Sequence, residues 1–104
     1  MNALLEDRIA VEPAEISEFC RRNHVHKLSF FGSVLRDDFR PESDIDVLVE
    51  FEPDHVPGYF RLSAMERELS GLLGRKVDLR TPGEISDYFR ERVLTSSRVW
   101  HEST

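Results

Sequence analysis

Two short apolar segments separated by a polar one most constrain what this chain can fold into. Val25–Phe31 ends in two aromatic residues and is stopped by a glycine, which is typical of a β-strand. Asp44–Phe51 alternates apolar with mostly polar residues, the period of a strand that buries one of its faces. The sequence therefore predicts two strands joined by a compact polar connection.

Helical patterns surround these two strands. Pro13–Asn23 carries apolar residues at positions i, i+3 and i+4, with a proline near its start. A second helix is predicted over Leu62–Leu73 and is followed by Gly74, which suits a left-handed C-terminal cap. Arg75–Arg80 is predicted as a short strand. Thr81–Val93 begins with a helix-capping pattern and is predicted as a third helix.

This order of elements predicts an α/β fold of the two-layer α+β kind. It would be a small mixed sheet of three or four strands packed with about three or four helices. The segment from Ser96 to Thr104 contains one apolar pair, Val99 and Trp100, and either adds an edge strand or trails. With 104 residues and 39% apolar content, the chain is expected to form one domain, residues 1–104.

Charge and cysteine content exclude several function classes. The 14 basic and 20 acidic residues give a net charge of -6 without a dense basic stripe, so no direct nucleic-acid binding is expected. Cys20, the single cysteine, cannot form an internal disulfide and is expected to be a small buried apolar residue. The N-terminal segment shows no leader and no run of apolar residues reaches membrane-spanning length, so a cytoplasmic location is expected.

For His24 and His26, no cysteine or carboxylate stands at a fitting spacing, so no metal site is predicted.

Carboxylates at the start of the second predicted strand point to metal chemistry. Asp44 and Asp46 are two residues apart, so they project from one face with backbones roughly 6.6 Å apart. Asp78 is the polar-face residue of its own strand and joins them if that strand lies beside the second. Oxygen-only ligands select magnesium or manganese over zinc. Two such ions about 4 Å apart can activate a hydroxyl for displacement at phosphorus.

A Gly-Ser turn precedes these carboxylates in the chain. Gly32 allows close approach to a ligand, and the following amides together with the Ser33 hydroxyl offer donors to an anion. Arg36 could add a fork of donors to a phosphate. For this turn to face Asp44, the two strands must be antiparallel neighbours. Ionised carboxylates facing a triphosphate repel by roughly 4 kcal/mol per close pair at an effective dielectric near 20, so bridging cations are required.

The segments FFGSVLRDDFRPESDIDVLVEF and LLGRKVDLRTPGEI resemble the signature of the DNA polymerase β-like nucleotidyltransferase superfamily. In that superfamily a Gly-Ser turn, an Asp-x-Asp pair and a later carboxylate form the active site. The chain is most similar to the minimal nucleotidyltransferases, antitoxins that act beside HEPN-domain toxins. The resemblance implies a polymerase β-like fold, ATP as donor, and AMP transfer to a tyrosine of a partner toxin, which loses its ribonuclease activity.

The same resemblance implies roles for individual residues. Gly32 and Ser33 would hold the triphosphate, and Asp44 and Asp46 would bind two magnesium ions. Asp78 would complete the metal site and accept the proton of the acceptor hydroxyl. Arg36 and Ser43 are further candidates for nucleotide binding.

Three functions remain open at this point. The chain is an active antitoxin, a binding module that masks its toxin around a vestigial site, or an enzyme acting on a small hydroxylated molecule. Once the predicted helices and strands are assigned, we expect no separate acceptor-binding domain, which favours an acceptor on another protein. Candidate surfaces for contact with that protein are Glu52–Tyr59 and the tail that contains Trp100. The alternative for Glu52–Tyr59 is an ordinary surface loop, and the alternative for Trp100 is a side chain that covers the sheet edge.

Overall fold

The chain forms a mixed β-sheet with helices packed on one face. The computed structural model describes residues 9, 11–35, 40, 43–84, 91–93 and 96–102. Within this part of the chain lie helices α1 (Pro13–Arg22) and α2 (Tyr59–Leu73) and strands β1 (Val25–Phe31), β2 (Ile45–Phe51), β3 (Val77–Arg80) and β4 (Arg98–Glu102). Short 3-10 turns occupy Gly32–Leu35, Pro53–His55 and Pro82–Glu84.

The order of strands in the sheet is β3-β2-β1-β4. β1 pairs antiparallel with both β2 and β4, whereas β2 and β3 are parallel. Because parallel neighbours need a crossover connection, α2 carries the chain from the end of β2 to the start of β3. The predicted α/β class and the antiparallel pairing of the first two strands are confirmed. The C-terminal segment, for which the sequence allowed either an edge strand or a trailing end, contributes the edge strand β4.

Helix α1 packs through one apolar stripe. Ile16, Phe19 and Cys20 are fully buried, as their spacing predicts. Asn23 follows the helix, and its side-chain amide donates to the Phe19 carbonyl over 2.8 Å. The amide oxygen of Asn23 accepts a hydrogen bond of 2.6 Å from Arg61 on α2. One polar side chain therefore ends the first helix and joins it to the second.

Helix α2 also follows its predicted pattern. Met65, Leu69 and Leu73 are buried, and Gly74 caps the helix with a φ of 67°. The helix begins at Tyr59 rather than at the predicted Leu62, and the segment between β2 and the helix contains the 3-10 turn Pro53–His55. Left-handed backbone at Gly74 is the conformation that favours glycine at this position.

Strand β3 is an edge strand whose outward amides are covered by α2. The Val77 amide donates to the Ser70 hydroxyl over 3.0 Å, and the Leu79 amide donates to Glu66 Oε2 over 2.8 Å. These side-chain acceptors replace a neighbouring strand, so the edge does not present those two free donors to solvent. Asp78 lies between the two anchored residues, and its position is fixed accordingly.

The opposite edge is closed by β4. Trp100 is buried to 9% exposure and packs edge-on against Phe30, with ring centroids 5.3 Å apart. Of the two alternatives for the tail, the structure therefore supports a tryptophan that covers the sheet. Among the described residues, no helix combines the length and hydropathy needed to cross a membrane.

Two predicted strand starts differ from the structure. β2 begins at Ile45 rather than Asp44, and β3 begins at Val77 rather than Arg75. Strand ends of this kind shift because the terminal residues lack one of the two ladder contacts. The predicted third helix is described only at its two ends, as a 3-10 turn over Pro82–Glu84 and helical backbone at 91–93. Its middle lies outside the described residues.

Burial of Cys20 leads to a prediction about thiol reactivity. Desolvation raises the pKa of the Cys20 thiol from 9.0 to about 12, because burial disfavours the charged thiolate. The thiolate is the nucleophile, so at pH 8 we expect the native protein to react with a disulfide reagent at least about 100-fold more slowly than the urea-unfolded chain. Labelling of native protein at the unfolded rate would contradict this.

The raised pKa of Cys20 also makes the free energy of unfolding depend on pH. Since the folded-state pKa is raised, the contribution of the neutral Cys20 thiol is complete below pH 9.0 and is lost as the pH rises toward about 12. The free energy of unfolding of the wild type, relative to that of Cys20→Ala, should therefore fall over this pH range. Urea unfolding of both proteins measures it.

Candidate active site

The Gly-Ser turn lies directly against the first carboxylate strand. Phe31, the last residue of β1, pairs with Asp46 on β2, and Gly32 follows with a φ of 75°. A Cβ added at Gly32 would lie 3.1 Å from Asp46 Cγ and closer still to Oδ2. Glycine is therefore required at this position both by the left-handed backbone and by the approach of the Asp46 carboxylate.

Asp78 lies on the other side of Asp46. Parallel pairing of β2 and β3 places these two aspartates in register. Paired residues on neighbouring strands point to the same face, and the strands are about 4.8 Å apart. The residues that flank Asp46, Ile45 and Val47, are buried in the core, so both aspartates lie on the face that points away from the core. The condition set for Asp78 by the sequence is thus satisfied.

Asp44 immediately precedes β2 and extends the carboxylate row. The Ile45 amide donates to the Lys76 carbonyl over 2.9 Å, which continues the ladder with β3 beside Asp44. Asp44 is half-exposed, and its Oδ2 lies 3.8 Å from Lys76 Nζ. Asp78 Oδ2 lies 3.2 Å from Arg80 Nη2. Two cations, Lys76 directly before β3 and Arg80 at its end, therefore partly offset the negative charge, although each exposed pair contributes only about 0 to 1 kcal/mol.

The remaining predicted nucleotide-binding residues are described in part. The Ser33 backbone belongs to the turn Gly32–Leu35, but its side chain and all of Arg36 lie outside the described residues. The Ser43 hydroxyl accepts from the Arg40 amide over 3.1 Å, and the Ser43 carbonyl accepts from Arg75 Nη2 over 2.8 Å. These contacts hold Ser43 in place directly before Asp44. The nucleotide role assigned to Ser43 stays a prediction.

A cavity of about 310 Å³ adjoins Asp78. β3 contributes Asp78, Leu79 and Arg80 to its wall, and α2 contributes Tyr59, Leu62, Ser63 and Glu66. Sequence reasoning did not find this cavity. The α2 residues recur at i, i+3, i+4 and i+7, which is the signal for one helical face, but the sequence does not show that this face meets β3.

An apolar patch continues from the cavity across the surface. Val56, Tyr59 and Phe60 are 69%, 77% and 87% exposed, and we call them the Val56–Phe60 patch. The rings of Tyr59 and Phe60 meet edge-on with centroids 5.9 Å apart. Tyr59 also lines the cavity, so the patch and the cavity share this residue. Adjoining exposed apolar side chains of this size are typical of interaction surfaces.

Comparison with known sequences identifies the family of this chain. A family model described as a nucleotidyltransferase domain matches residues 14–101. Protein adenylyltransferase MntA of Thermococcus cleftensis is 31% identical over 90 residues, which cover 86% of this chain and 89% of that protein.

Solved structures share the fold. A toxin–antitoxin complex with AMP-PNP contains a chain that matches with a TM-score of 0.73 at 20% identity, covering 90% of this chain and 76% of that one. A complex of a tri-AMPylated Shewanella oneidensis HEPN toxin with an MNT antitoxin matches with a TM-score of 0.65 at 19% identity, covering 88% and 70%. Because the family model spans most of the chain and the MntA relative covers nearly the same region, this protein belongs to the nucleotidyltransferase domain family, alongside MntA, and is a nucleotidyltransferase enzyme.

Proposed function

We propose that this enzyme is a magnesium-dependent antitoxin that transfers AMP from ATP to a tyrosine hydroxyl of a cognate HEPN ribonuclease toxin and so neutralises it. The observation that carries the proposal is the register that puts Asp46 between Gly32 and Asp78. Similarity to a protein adenylyltransferase supports AMP transfer to a protein. Similarity to complexes containing AMP-PNP and an AMPylated toxin supports the donor and the acceptor.

The donor set of the site fits magnesium. Asp44, Asp46 and Asp78 offer carboxylate oxygens only, at one end of the sheet, and magnesium prefers oxygen ligands shared with substrate phosphates. These three aspartates would hold the ions. When bound, magnesium would neutralise phosphate charge and stabilise both the attacking and the leaving oxygen.

The protein's own groups account for the remaining steps. Gly32 lets the backbone approach the triphosphate, and Ser33, Arg36 and Ser43 would add donors to its oxygens. Asp78 would accept the proton of the tyrosine hydroxyl as that oxygen bonds to the α-phosphorus and pyrophosphate leaves. Arg80, 3.2 Å from Asp78, orients this carboxylate.

The acceptor would reach Asp78 through the cavity beside α2. Asp78 and Tyr59 both line this cavity, so a tyrosine side chain inserted there would place its hydroxyl near the carboxylate. The toxin would dock on the Val56–Phe60 patch, which shares Tyr59 with the wall of this cavity. Large aromatic side chains commonly provide the strongest contacts in protein interfaces.

Removal of the paired carboxylates tests catalysis directly. With the toxin, ATP and magnesium, we expect the wild type to give a toxin heavier by one AMP or more. Asp44→Asn with Asp46→Asn should lower the rate at least about 100-fold, because the metal ligands and their charge are lost. Intact-mass spectrometry of the toxin measures the product.

Glu15→Gln is a matched control, since Glu15 is an exposed carboxylate in the first turn of α1. It should leave the rate unchanged, and a chelator should abolish transfer by every active variant. If the toxin stays unmodified while the wild type still neutralises its ribonuclease activity, the chain masks its toxin and the catalytic proposal is wrong.

Alanine substitutions at two glycines distinguish an effect on the active site from an effect of backbone strain. Gly32 and Gly74 have φ values of 75° and 67°, so alanine at either should cost about 1 to 2 kcal/mol of unfolding free energy. Only Gly32→Ala pushes a methyl group into the Asp46 carboxylate, whereas nothing lies within 4 Å at Gly74. We expect Gly32→Ala to lower AMP transfer at least about 10-fold and Gly74→Ala to leave it near the wild-type rate, at a temperature where both are folded.

Urea unfolding gives the stability and the toxin mass assay gives the rate. Equal rates for Gly32→Ala and Gly74→Ala would show that the close approach of Gly32 to Asp46 has no part in catalysis.

A charged residue in the Val56–Phe60 patch tests the docking surface. Phe60 is 87% exposed, so Phe60→Asp should leave folding intact but weaken toxin binding at least about 10-fold by placing a charge in an apolar interface. Val99→Asp is the control, since Val99 is 45% exposed and lies on β4, at the opposite edge of the sheet. Isothermal titration with the toxin measures both. Equal affinities would place the toxin elsewhere.

A further inference from the structure

Three side chains with metal-binding atoms meet at the other end of the sheet. The candidate ligand atoms of His24, Glu52 and His55 all lie within 4.8 Å of one another. Glu52 directly follows β2, whereas Asp44 directly precedes this strand of 7 residues. At about 3.3 Å per residue the two groups are separated by roughly 20 Å or more. The His24–Glu52–His55 cluster is therefore distinct from the carboxylate site.

The main chain holds the three ligand-bearing residues together. The Glu52 amide donates to the His24 carbonyl over 3.0 Å, and the His55 amide donates to the Glu52 carbonyl over 2.9 Å. His24 lies between α1 and β1 with a φ of 56°, an uncommon conformation for a residue other than glycine. The positions of the three side chains thus depend on backbone hydrogen bonds and not on surface side chains alone.

The side chains themselves are close and accessible. His24 Nδ1 lies 3.5 Å from Glu52 Oε2, and the two imidazole rings stack with centroids 3.8 Å apart and planes 9° from parallel. A ring nitrogen binds an ion in the plane of its ring, so one ring must rotate about its Cβ–Cγ bond for both to reach the same ion. Both histidines are exposed, which leaves room for that rotation and for entry of the ion.

We propose that this cluster binds one zinc ion, or a divalent transition metal of similar preference. His24 and His55 would each give an imidazole nitrogen, Glu52 would give a carboxylate oxygen, and water would fill the fourth position. Imidazole nitrogen suits zinc, whereas magnesium takes oxygen ligands, so the two ends of the sheet select different metals.

Binding would join two separate parts of the chain. His24 belongs to the connection between α1 and β1, whereas Glu52 and His55 belong to the connection between β2 and α2. The second connection continues into the Val56–Phe60 patch. A bound ion stabilises the folded state, since the unfolded chain does not hold the three ligands together.

Calorimetric titration of the chelator-treated full chain with zinc chloride, without nucleotide or magnesium, tests the proposal. We expect the wild type to bind one equivalent and to gain thermal stability. His24→Asn, chosen because asparagine tolerates positive φ, and His55→Ala should each lower zinc affinity at least about 10-fold and lose the zinc-dependent rise in melting temperature.

Two control variants locate the ion. His26→Ala removes an exposed imidazole on β1 outside the cluster, and Asp44→Asn with Asp46→Asn alters the carboxylate site; both should bind zinc as the wild type does. The proposal is overturned if the wild type binds no zinc. It is equally overturned if His55→Ala, a change on an exposed turn, binds zinc and gains stability as the wild type does, or if the Asp44 and Asp46 changes abolish binding.

Discussion

The pairing of β2 with a neighbour on each side is the constraint on which the site depends. β2 buries Ile45, Val47 and Val49 against the core, and this burial fixes which way its alternate residues point. A slip of one residue would turn Asp46 into the core, at a cost of several kcal/mol for an unpaired buried charge, and would expose the apolar set. The same apolar contacts that stabilise the sheet therefore hold Asp46 beside Gly32 and Asp78.

Helix α2 connects stability with the proposed acceptor site. Its apolar stripe packs into the core, while Glu66 and Ser70 accept hydrogen bonds from the edge strand β3. Those two contacts anchor the residues on either side of Asp78. The first turn of α2 also contains Tyr59, which lines the cavity, and Phe60, which belongs to the exposed patch. A change in how α2 meets β3 would move the proposed base and the proposed docking surface together.

The two ends of the sheet differ in chemistry. At the start of β2 the carboxylates offer oxygen only, and Lys76 and Arg80 moderate their charge. At its end, two imidazoles and Glu52 offer a mixed donor set that suits zinc. Because a whole strand lies between them, each end can be altered with little direct effect on the other. The proposed transfer reaction and the proposed zinc site can therefore be tested separately.

Local sequence determined the elements and the first half of the site. The two-residue period of Asp44–Phe51 and the glycine after Phe31 depend on neighbours along the chain, so they could be predicted without any knowledge of packing. Tertiary structure decided what lies beside what: β3 parallel to β2 with Asp78 opposite Asp46, β4 as an edge strand, and the His24–Glu52–His55 cluster. Strand pairing and backbone hydrogen bonds between distant segments bring these groups together, and neither leaves a periodic signal in the sequence. For that reason His24, which has no other metal-binding residue at a fitting spacing in the sequence, lies beside two of them, Glu52 and His55, in the fold.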